Sequence, residues 1–369
     1  MQNTHPSFDP GRLKKLLHRL VDIYSPSGKE EEIFHFLNGY LKRHGLSVVC
    51  QPVDEKRYNL VLMPPGQEVR LALVGHLDTV AAYDLNDYAY AEQGDQIKGL
   101  GTADMKGGCA AMVEAYMTLH ESGHSRAPVA LCLVVGEEEE GDGAERLVED
   151  YHFPWAIVGE PTNLTPCLSN YGYVEVQIST FGKRLHASLA HTTENPIQAM
   201  LRLMLRISQY MEEQRLQLVY NVRDLFSSQS GFAVPEHCEA WLDIHLPPGS
   251  PTGTIATELE EIMLREREQN ARLDGELRIV TIDDGYELPE KGRMVEALKA
   301  VYARGSLPWK PQPFQSHSDA NRLWASGVKT ILIGPGELEM AHAPDESVSF
   351  QQVCLATKLY LDLLMSIKD

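Results

Sequence analysis

Apolar side chains along the first half of the chain switch between the spacing of helices and the unbroken runs of buried strands. The three- and four-residue spacing predicts a first helix that Pro26 ends, with its apolar side formed by Leu13, Leu16, Leu17, Leu20 and Ile23. Nearly continuous apolar runs predict strands buried on both faces at 69–78, 129–135 and 155–160. A helix is predicted at 107–123, between the first two runs. Strands that alternate with helices predict an α/β fold with a mostly parallel sheet and helices on both faces.

The pattern changes after Tyr171, where residues 173–180 alternate between apolar and polar as in a half-exposed antiparallel strand. The segments that follow are a helix at 195–218, a strand at 238–246, a helix at 254–272 and a strand at 276–282. They predict a strand–helix–strand–strand–helix–strand unit, a ferredoxin-like α+β domain inserted into the first domain. We predict that residues 1–170 and 286–369 form the α/β domain, and that residues 171–285 form the inserted one.

Length and charge narrow the possible partners. The chain has 369 residues, more than one hydrophobic core usually supports, which agrees with two domains. The formal net charge of −19 repels nucleic acid and anionic membranes, so we expect neither as a partner. The six cysteines are scattered without a CxxC pair, which argues against a thiolate metal site. No apolar signal-peptide core or membrane-length apolar run is seen, so we expect a cytoplasmic protein.

Metal-binding residue types follow the predicted strands of the α/β domain, where ligands bind in such sheets. They are His76 and Asp78 after the first run, the acidic run 137–140 after the second, and Glu160 after the third, together with Asp104 before a helix and His342 late in the chain. Four like charges directly after a buried strand are costly unless a cation offsets them. Imidazole and carboxylate ligands without cysteine suit zinc, cobalt or manganese.

These ligand types predict metal-assisted hydrolysis. A carboxylate can bridge two ions about 3.5–4 Å apart, whose joint charge makes water a nucleophile near neutral pH. A second carboxylate must then take the proton of that water and pass it to the leaving amine. Asp78, two residues after His76 on the same face of the strand, can orient the imidazole. A serine or cysteine hydrolase is disfavoured, because no GxSxG motif occurs.

In order and spacing, these residues resemble the aminoacylase/carboxypeptidase family of co-catalytic zinc peptidases. That family includes acetylornithine and acetyl-lysine deacetylases, succinyl-diaminopimelate desuccinylase, tripeptidases and glutamate carboxypeptidases. The resemblance covers nearly the whole chain and implies a catalytic domain of the phosphorylase/hydrolase type with two Zn²⁺, or Co²⁺ or Mn²⁺ in their place. It implies that His76 and His342 bind one ion each, that Asp104 bridges the ions and that Glu160 joins one of them.

The family also carries a pair of glutamates, a base followed by a ligand, where this chain has four. Aligning Gly141 one residue after the pair makes Glu138 the base and Glu139 a metal ligand, which is the register we prefer. Aligning Gly141 directly after the pair, as in the desuccinylases, makes Glu139 and Glu140 the pair instead. Asp78 joins the catalytic set in either register.

The same resemblance implies that the inserted domain is a lid and that two chains form a homodimer through it. It implies that His186, in GKRLHAS, reaches the partner subunit's active site and stabilises the oxyanion there. His245 replaces the family arginine before Pro-Pro-Gly, which puts the mode of carboxylate binding in doubt. Arg322 is predicted either to bind a substrate carboxylate or to form an ordinary salt bridge on a helix surface. The loop containing Gly334 and Gly336 matches a family loop that lines the substrate pocket.

The expected reaction is hydrolysis of the amide bond of an N-acyl amino acid, such as acetylated ornithine or lysine. A dipeptidase, tripeptidase or carboxypeptidase of the same family, acting on a short peptide, is the first alternative. A non-catalytic metal-binding scaffold is the second, although every ligand position is filled.

Overall fold

The computed structural model describes residues 6–124 and 127–367 of the chain. Nine α-helices occur in these two ranges: α1 Pro10–Asp22, α2 Glu31–Arg43, α3 Gly107–Glu121, α4 Asp142–Asp150, α5 Pro196–Gln214, α6 Thr252–Gln269, α7 Arg293–Arg304, α8 Asp319–Ala325 and α9 Phe350–Leu364. None of the helices within the described ranges has both the length and the apolarity that crossing a bilayer requires.

The strands are short in the first part of the chain and longer in its middle. In the described ranges they are β1 Val49–Pro52, β2 Tyr58–Leu62, β3 Leu71–His76, β4 Ala91–Gln93, β5 Gln96–Lys98, β6 Val129–Val134, β7 Trp155–Val158, β8 Ser169–Asn170, β9 Gly172–Phe181, β10 Val219–Ser227, β11 His237–Leu246, β12 Asp274–Asp283, β13 Tyr286–Glu287, β14 Pro313–Phe314, β15 Lys329–Leu332 and β16 Ser347–Ser349.

The described chain divides into two compact units, and each is considered by itself. The first takes in the described residues up to Ser169, then Leu288–Phe314, then those from Ser318 onward. The second consists of Asn170–Glu287 with Gln315–His317, and the predicted insertion 171–285 lies within it.

A six-stranded sheet in the order β1-β2-β6-β3-β7-β15 forms the core of the first unit. Strands β6, β3, β7 and β15 run parallel, while β1 and β2 pair antiparallel at one edge. Every residue of β3 and β6 is buried, because helices cover the sheet. The carboxyl ends of β3, β6 and β7 therefore lie side by side at one edge, as the apolar runs predict.

Helix α3 packs against both the sheet and helix α9, and nearly all of its residues are buried. Its close approach to the sheet depends on Gly108, where a Cβ atom would lie 2.2 Å from the carbonyl oxygen of Gly159. That contact brings the helix against the segment that carries Glu160.

The second unit contains a four-stranded antiparallel sheet in the order β10-β11-β9-β12, with α5 and α6 packed on it. The alternation predicted for β9 is observed: Val174, Val176 and Ile178 face the core that both helices share. Strand β10 forms an edge of the sheet and is mostly exposed.

Helix α5 is shorter than the sequence predicts, ending at Gln214 and not at Leu218. Leu216 is exposed and falls outside the buried helical face. From Leu216 onward the apolar residues recur at every second position, the spacing of a strand, and β10 begins at Val219.

Candidate metal centre

Two groups of ligand-type side chains lie at the carboxyl edge of the sheet in the first unit. One consists of His76, Asp104 and Glu160, and the other of Asp104, Glu138 and His342, with the ligand atoms of each group within 4.8 Å of one another. Because Asp104 belongs to both groups, its carboxylate stands where one residue can bridge two ions.

The measured distances follow this division. His76 Nε2 lies 3.4 Å from Asp104 Oδ1 and 4.0 Å from Glu160 Oε1. His342 Nε2 lies 2.8 Å from Glu138 Oε2 and 3.6 Å from Asp104 Oδ2. Each histidine therefore faces carboxylate oxygens through the nitrogen that would bind a metal.

Parallel strand ends and two loops bring these residues together. His76 is the last residue of β3, Glu160 follows β7 by two residues, and Glu138 lies in the turn after β6. Asp104 lies in an irregular turn, Thr102–Lys106, that precedes α3. His342 comes from the loop after β15, where its φ angle of 60° marks a tight turn.

Buried atoms without hydrogen-bond partners show that the first group suits a cation. His76 Nε2, Asp104 Oδ1 and Glu160 Oε1 are all buried, and none has a hydrogen-bond partner. Leaving buried polar atoms unsatisfied is costly, and a divalent ion among these three would satisfy them all. Nitrogen and carboxylate donors suit Zn²⁺, Co²⁺ or Mn²⁺.

Electrostatics favour the same interpretation. Burial raises the pKa of Glu160 well above its ordinary value, and the neighbouring Asp104 carboxylate raises it further, although His76 opposes this. Burial also raises the pKa of Glu137 and of Glu138, against the opposing effect of the nearby histidines. A divalent cation would offset this crowded negative charge and favour the ionised carboxylates.

Asp78 is fully buried behind His76. Its Oδ2 accepts hydrogen bonds from Ser27 Oγ at 2.7 Å and from the backbone N–H of Glu138 at 3.0 Å. His76 Nδ1 lies 3.2 Å from the carbonyl oxygen of Asp78 and 3.5 Å from its Oδ1. Asp78 thus orients the imidazole and also holds the turn that carries the glutamates.

The glutamate turn, residues 136–141, directs only the first two of its four glutamates toward the histidines. Glu138 faces His342, and Glu137 Oε2 lies 3.7 Å from His76 Nε2, whereas Glu139 and Glu140 are exposed. Glu139 is in neither ligand group. The preferred pair, Glu138 with Glu139, therefore includes one exposed glutamate, and the alternative pair, Glu139 with Glu140, consists of two.

The position of the two glycines that bound this turn explains which glutamates face the histidines. Gly136 and Gly141 both have positive φ, and the Gly141 N–H donates to the Gly136 carbonyl at 2.6 Å. The turn therefore closes on itself directly after β6, and only its first two glutamates face the other ligands. Counting forward from the end of β6 gives this register, whereas counting back from Gly141 gives the predicted ones.

Arg322 forms a salt bridge and a backbone hydrogen bond beside the glutamate turn. Its Nη2 donates to the Glu140 carbonyl at 2.7 Å, and its Nη1 pairs with the Glu145 carboxylate. These contacts bind the guanidinium to the outer side of the glutamate turn, and the binding of a substrate carboxylate by Arg322 stays a prediction.

The Gly334 and Gly336 loop lies against the backbone of a metal ligand. A Cβ atom at Gly334 would lie 2.1 Å from the Gly159 carbonyl oxygen and 2.3 Å from that of Glu160. Gly336 has a φ of 94°, and its N–H donates to Gln352 Oε1 at 2.6 Å. These glycines allow the loop to support Glu160, while their contact with substrate stays a prediction.

His186 belongs to the second unit and is exposed, with its Nδ1 2.8 Å from Ser188 Oγ. It is in neither ligand group, and its role at a partner's oxyanion stays a prediction.

Asp319 is a further buried acid, for which the sequence predicts no role. Burial raises its pKa to about 7, with His76 and Asp78 acting in opposite directions, and neither of its carboxylate oxygens has a hydrogen-bond partner. It is the first residue of α8, a position where aspartate usually serves the helix terminus, so its sequence context gives no signal of this burial.

A mostly parallel sheet with two ligand groups that share one aspartate is the arrangement expected of a metal-dependent hydrolase. The sequence model of peptidase family M20/M25/M40 matches residues 72–366 of this chain, so the chain belongs to this family. The resemblance inferred from the motifs is confirmed at that level. The chain is therefore an enzyme that hydrolyses amide or peptide bonds.

Relatives and solved structures agree with this membership. Acetylornithine deacetylases from Photorhabdus laumondii and Proteus mirabilis are 26% and 27% identical to this chain; the alignments cover 90% and 86% of it, and 90% and 85% of the relatives. A Staphylococcus aureus tripeptidase superposes with a TM-score of 0.80 at 18% identity, covering 98% of this chain and 99% of that one. Human carnosine dipeptidase 1 superposes with a TM-score of 0.81 at 12% identity, covering 97% of this chain and 96% of that one.

A third solved structure, described as a dinuclear metal-binding peptidase of the M20 family from Bacillus subtilis, has a TM-score of 0.68 at 13% identity, covering 97% of this chain and 98% of that one. At these identities the structures show that the fold is shared.

Metal content tests the two groups directly. We expect protein loaded with Zn²⁺ and then dialysed to hold two ions per chain, and His76→Ala and His342→Ala to hold about one each. Asp104→Asn should lose more than either, because its carboxylate serves both groups. Elemental analysis measures the content, and His152→Ala, an exposed histidine outside both groups, is the control. Unchanged content in His342→Ala would contradict the second group.

Proposed function

We propose that this chain is a dinuclear zinc amidohydrolase that removes the acyl group from an N-acyl amino acid. The supporting observation is the sharing of Asp104 by two ligand groups, with the largely buried Glu137 beside them. The acetylornithine deacetylases aligned over most of the chain support a deacylase.

Each group of ligand-type residues would bind one ion. His76, Asp104 and Glu160 would hold one Zn²⁺, and Asp104, Glu138 and His342 the other, with Co²⁺ or Mn²⁺ as substitutes. When bound, such paired ions supply Lewis acidity for the scissile carbonyl and for water.

Glu137 is the general base in this proposal. Its carboxylate is buried beside His76 but belongs to neither ligand group, so it stays available for a proton. It takes the proton of the attacking water and delivers it to the nitrogen of the leaving amine. Asp78 keeps the His76 imidazole in the orientation that presents Nε2 to the site.

The second unit is proposed to be the ferredoxin-like lid and the dimer contact. Its edge strand β10 leaves backbone groups unpaired, and the exposed Leu225 and Phe226 lie along it. The exposed Leu201 and Leu205 lie on α5 of the same unit. An exposed apolar edge strand is a template for pairing with a second chain, which supports a homodimer. In that dimer, His186 of the partner subunit would stabilise the oxyanion.

A dipeptidase or tripeptidase is the second candidate, because the tripeptidase and carnosine dipeptidase structures share the fold. The bond chemistry is the same, and the choice depends on the substrate. A non-catalytic scaffold is disfavoured, because the base position and both ligand groups are filled. The six free cysteines fit the reducing cytoplasm, the compartment that we propose.

The glutamate register has a sharp test. Glu137→Gln should lower kcat about 10²–10⁴-fold while keeping both ions, because only the proton acceptor is lost. Glu138→Gln should lose about one ion per chain as well as activity. Glu139→Gln, the same chemical change at an exposed position, should keep both. Steady-state kinetics and metal analysis measure the three variants side by side, and loss of metal from Glu139→Gln would restore the register predicted from the sequence.

The substrate class is tested with a panel of N-acetyl, N-succinyl and N-formyl amino acids, dipeptides and tripeptides. Metal-stripped protein should be inactive, and added Zn²⁺, Co²⁺ or Mn²⁺ should restore hydrolysis of an N-acyl amino acid. The hydrolysis is measured as the appearance of the free amine. Peptides hydrolysed in preference to every acyl amino acid would favour the peptidase alternative. Two bound ions without turnover on any member would favour the scaffold.

The dimer is tested by placing charge on the apolar surface of the second unit. Leu205→Arg combined with Phe226→Arg should convert a dimer to a monomer in sedimentation equilibrium, and kcat should fall by as much as in His186→Ala, about 10²–10³-fold. Leu85→Arg, at an exposed leucine of the first unit, is the control. Full activity in a monomeric variant would refute the role of the partner's His186.

A further inference from the structure

Glu346 is a buried acid whose carboxylate is bound entirely by backbone groups. Only 4% of the residue is exposed. Its Oε1 accepts hydrogen bonds from the N–H groups of Ala103 at 2.8 Å and Asp104 at 3.0 Å, and its Oε2 accepts one from Gly101 at 2.7 Å. Both oxygens are therefore occupied by the turn that carries the shared ligand Asp104.

That turn has little regular structure of its own to hold it. Thr102–Lys106 precedes α3, and the φ and ψ angles of Asp104 (−119°, 97°) and Met105 (−126°, 35°) are not helical. The Asp104 N–H thus donates to a side chain and not to a helical carbonyl. Because buried N–H groups need partners, the Glu346 carboxylate determines which conformation of this turn is satisfied.

The backbone of Glu346 is hydrogen-bonded to the loop that carries His342, which lies four residues earlier in the chain. The Glu346 N–H donates to the Ala343 carbonyl at 3.1 Å, and the Glu346 carbonyl accepts from the Gly99 N–H at 3.1 Å. Strand β16, which begins at the next residue, pairs with β5. The backbone of Glu346 is therefore fixed beside residues 96–99 while its side chain holds residues 101–104.

We propose that Glu346 is a positioning residue that fixes the spacing between Asp104 and His342, and so forms the second metal site without binding metal itself. It belongs to neither ligand group. The inference rests on the proposed dinuclear centre and adds a residue that acts on one of its two sites. Hydrogen-bond partners behind metal ligands of this kind commonly change metal affinity about 10–100-fold.

The test substitutes the acceptor without changing its size. Glu346→Gln keeps the shape of the side chain but replaces one acceptor oxygen by an NH₂ group, so at least one of the three N–H groups loses its partner. Glu339→Gln, the same change at an exposed position three residues before His342, is the matched control. Metal-free proteins are titrated with Zn²⁺ against a competing chelator, and thermal unfolding is followed with and without the metal.

We expect Glu346→Gln to weaken the Zn²⁺ equivalent that His342→Ala loses by about 10-fold or more. The other equivalent shares Asp104 but not the loop of His342, so it should weaken less. Glu346→Asp keeps the charge but shortens the side chain, so it should lie between Glu346→Gln and the wild type. It also provides a folded variant if Glu346→Gln does not fold. Glu339→Gln should match the wild type within about threefold.

Three results would overturn the inference, and they can be told apart. Wild-type affinities in both Glu346 variants would show that the carboxylate does not position the ligands. Equal weakening of both equivalents, with a matching loss of thermal stability in the metal-free state, would show a general structural role. Wild-type protein that binds fewer than two ions would instead refute the dinuclear centre on which the inference rests.

Discussion

The cost of burying several carboxylates at one sheet edge is the constraint on which the rest of this structure depends. Parallel strands bring the residues after β3, β6 and β7 together, and two loops add Asp104 and His342. Without a cation, these groups repel one another and lose hydration, which is why burial raises the pKa of Glu137 and Glu160. A fold that accepts this arrangement needs a compensating positive charge, and the same charge is what hydrolysis of an amide bond requires.

The general position of the site was predictable from the sequence because it follows from topology. Apolar runs identify the parallel strands, and a ligand-type residue after a run must fall at the carboxyl edge of the sheet, as His76 and Glu160 do. The register of the glutamates was not predictable in this way. It depends on a turn closed between Gly136 and Gly141, a property of backbone geometry that four identical residues in a row do not reveal.

The residues that support the ligands were harder still to predict. Arg322 resembles a substrate-binding group by its place in the sequence, yet its contacts are with the outer side of the glutamate turn. Glu346 is separated from Asp104 by 242 residues, and nothing in the local sequence of either indicates their contact. In the second unit, the alternation of β9 predicted its buried face, whereas the first alternating residues before β10 were included in the predicted helix 195–218, and β10 itself is a mostly exposed edge strand.

These supporting contacts suggest why so many acids can share one site without the folded chain losing its geometry. Each ligand-bearing loop is held by a group that does not depend on metal: Asp78 binds the glutamate turn, Glu346 binds the Asp104 turn, and the Gly334 loop lies against Glu160. Backbone hydrogen bonds and close packing thus bring the ligands together. Metal binding then offsets repulsion that the fold has already imposed, so affinity for metal and stability of the first unit are expected to be linked.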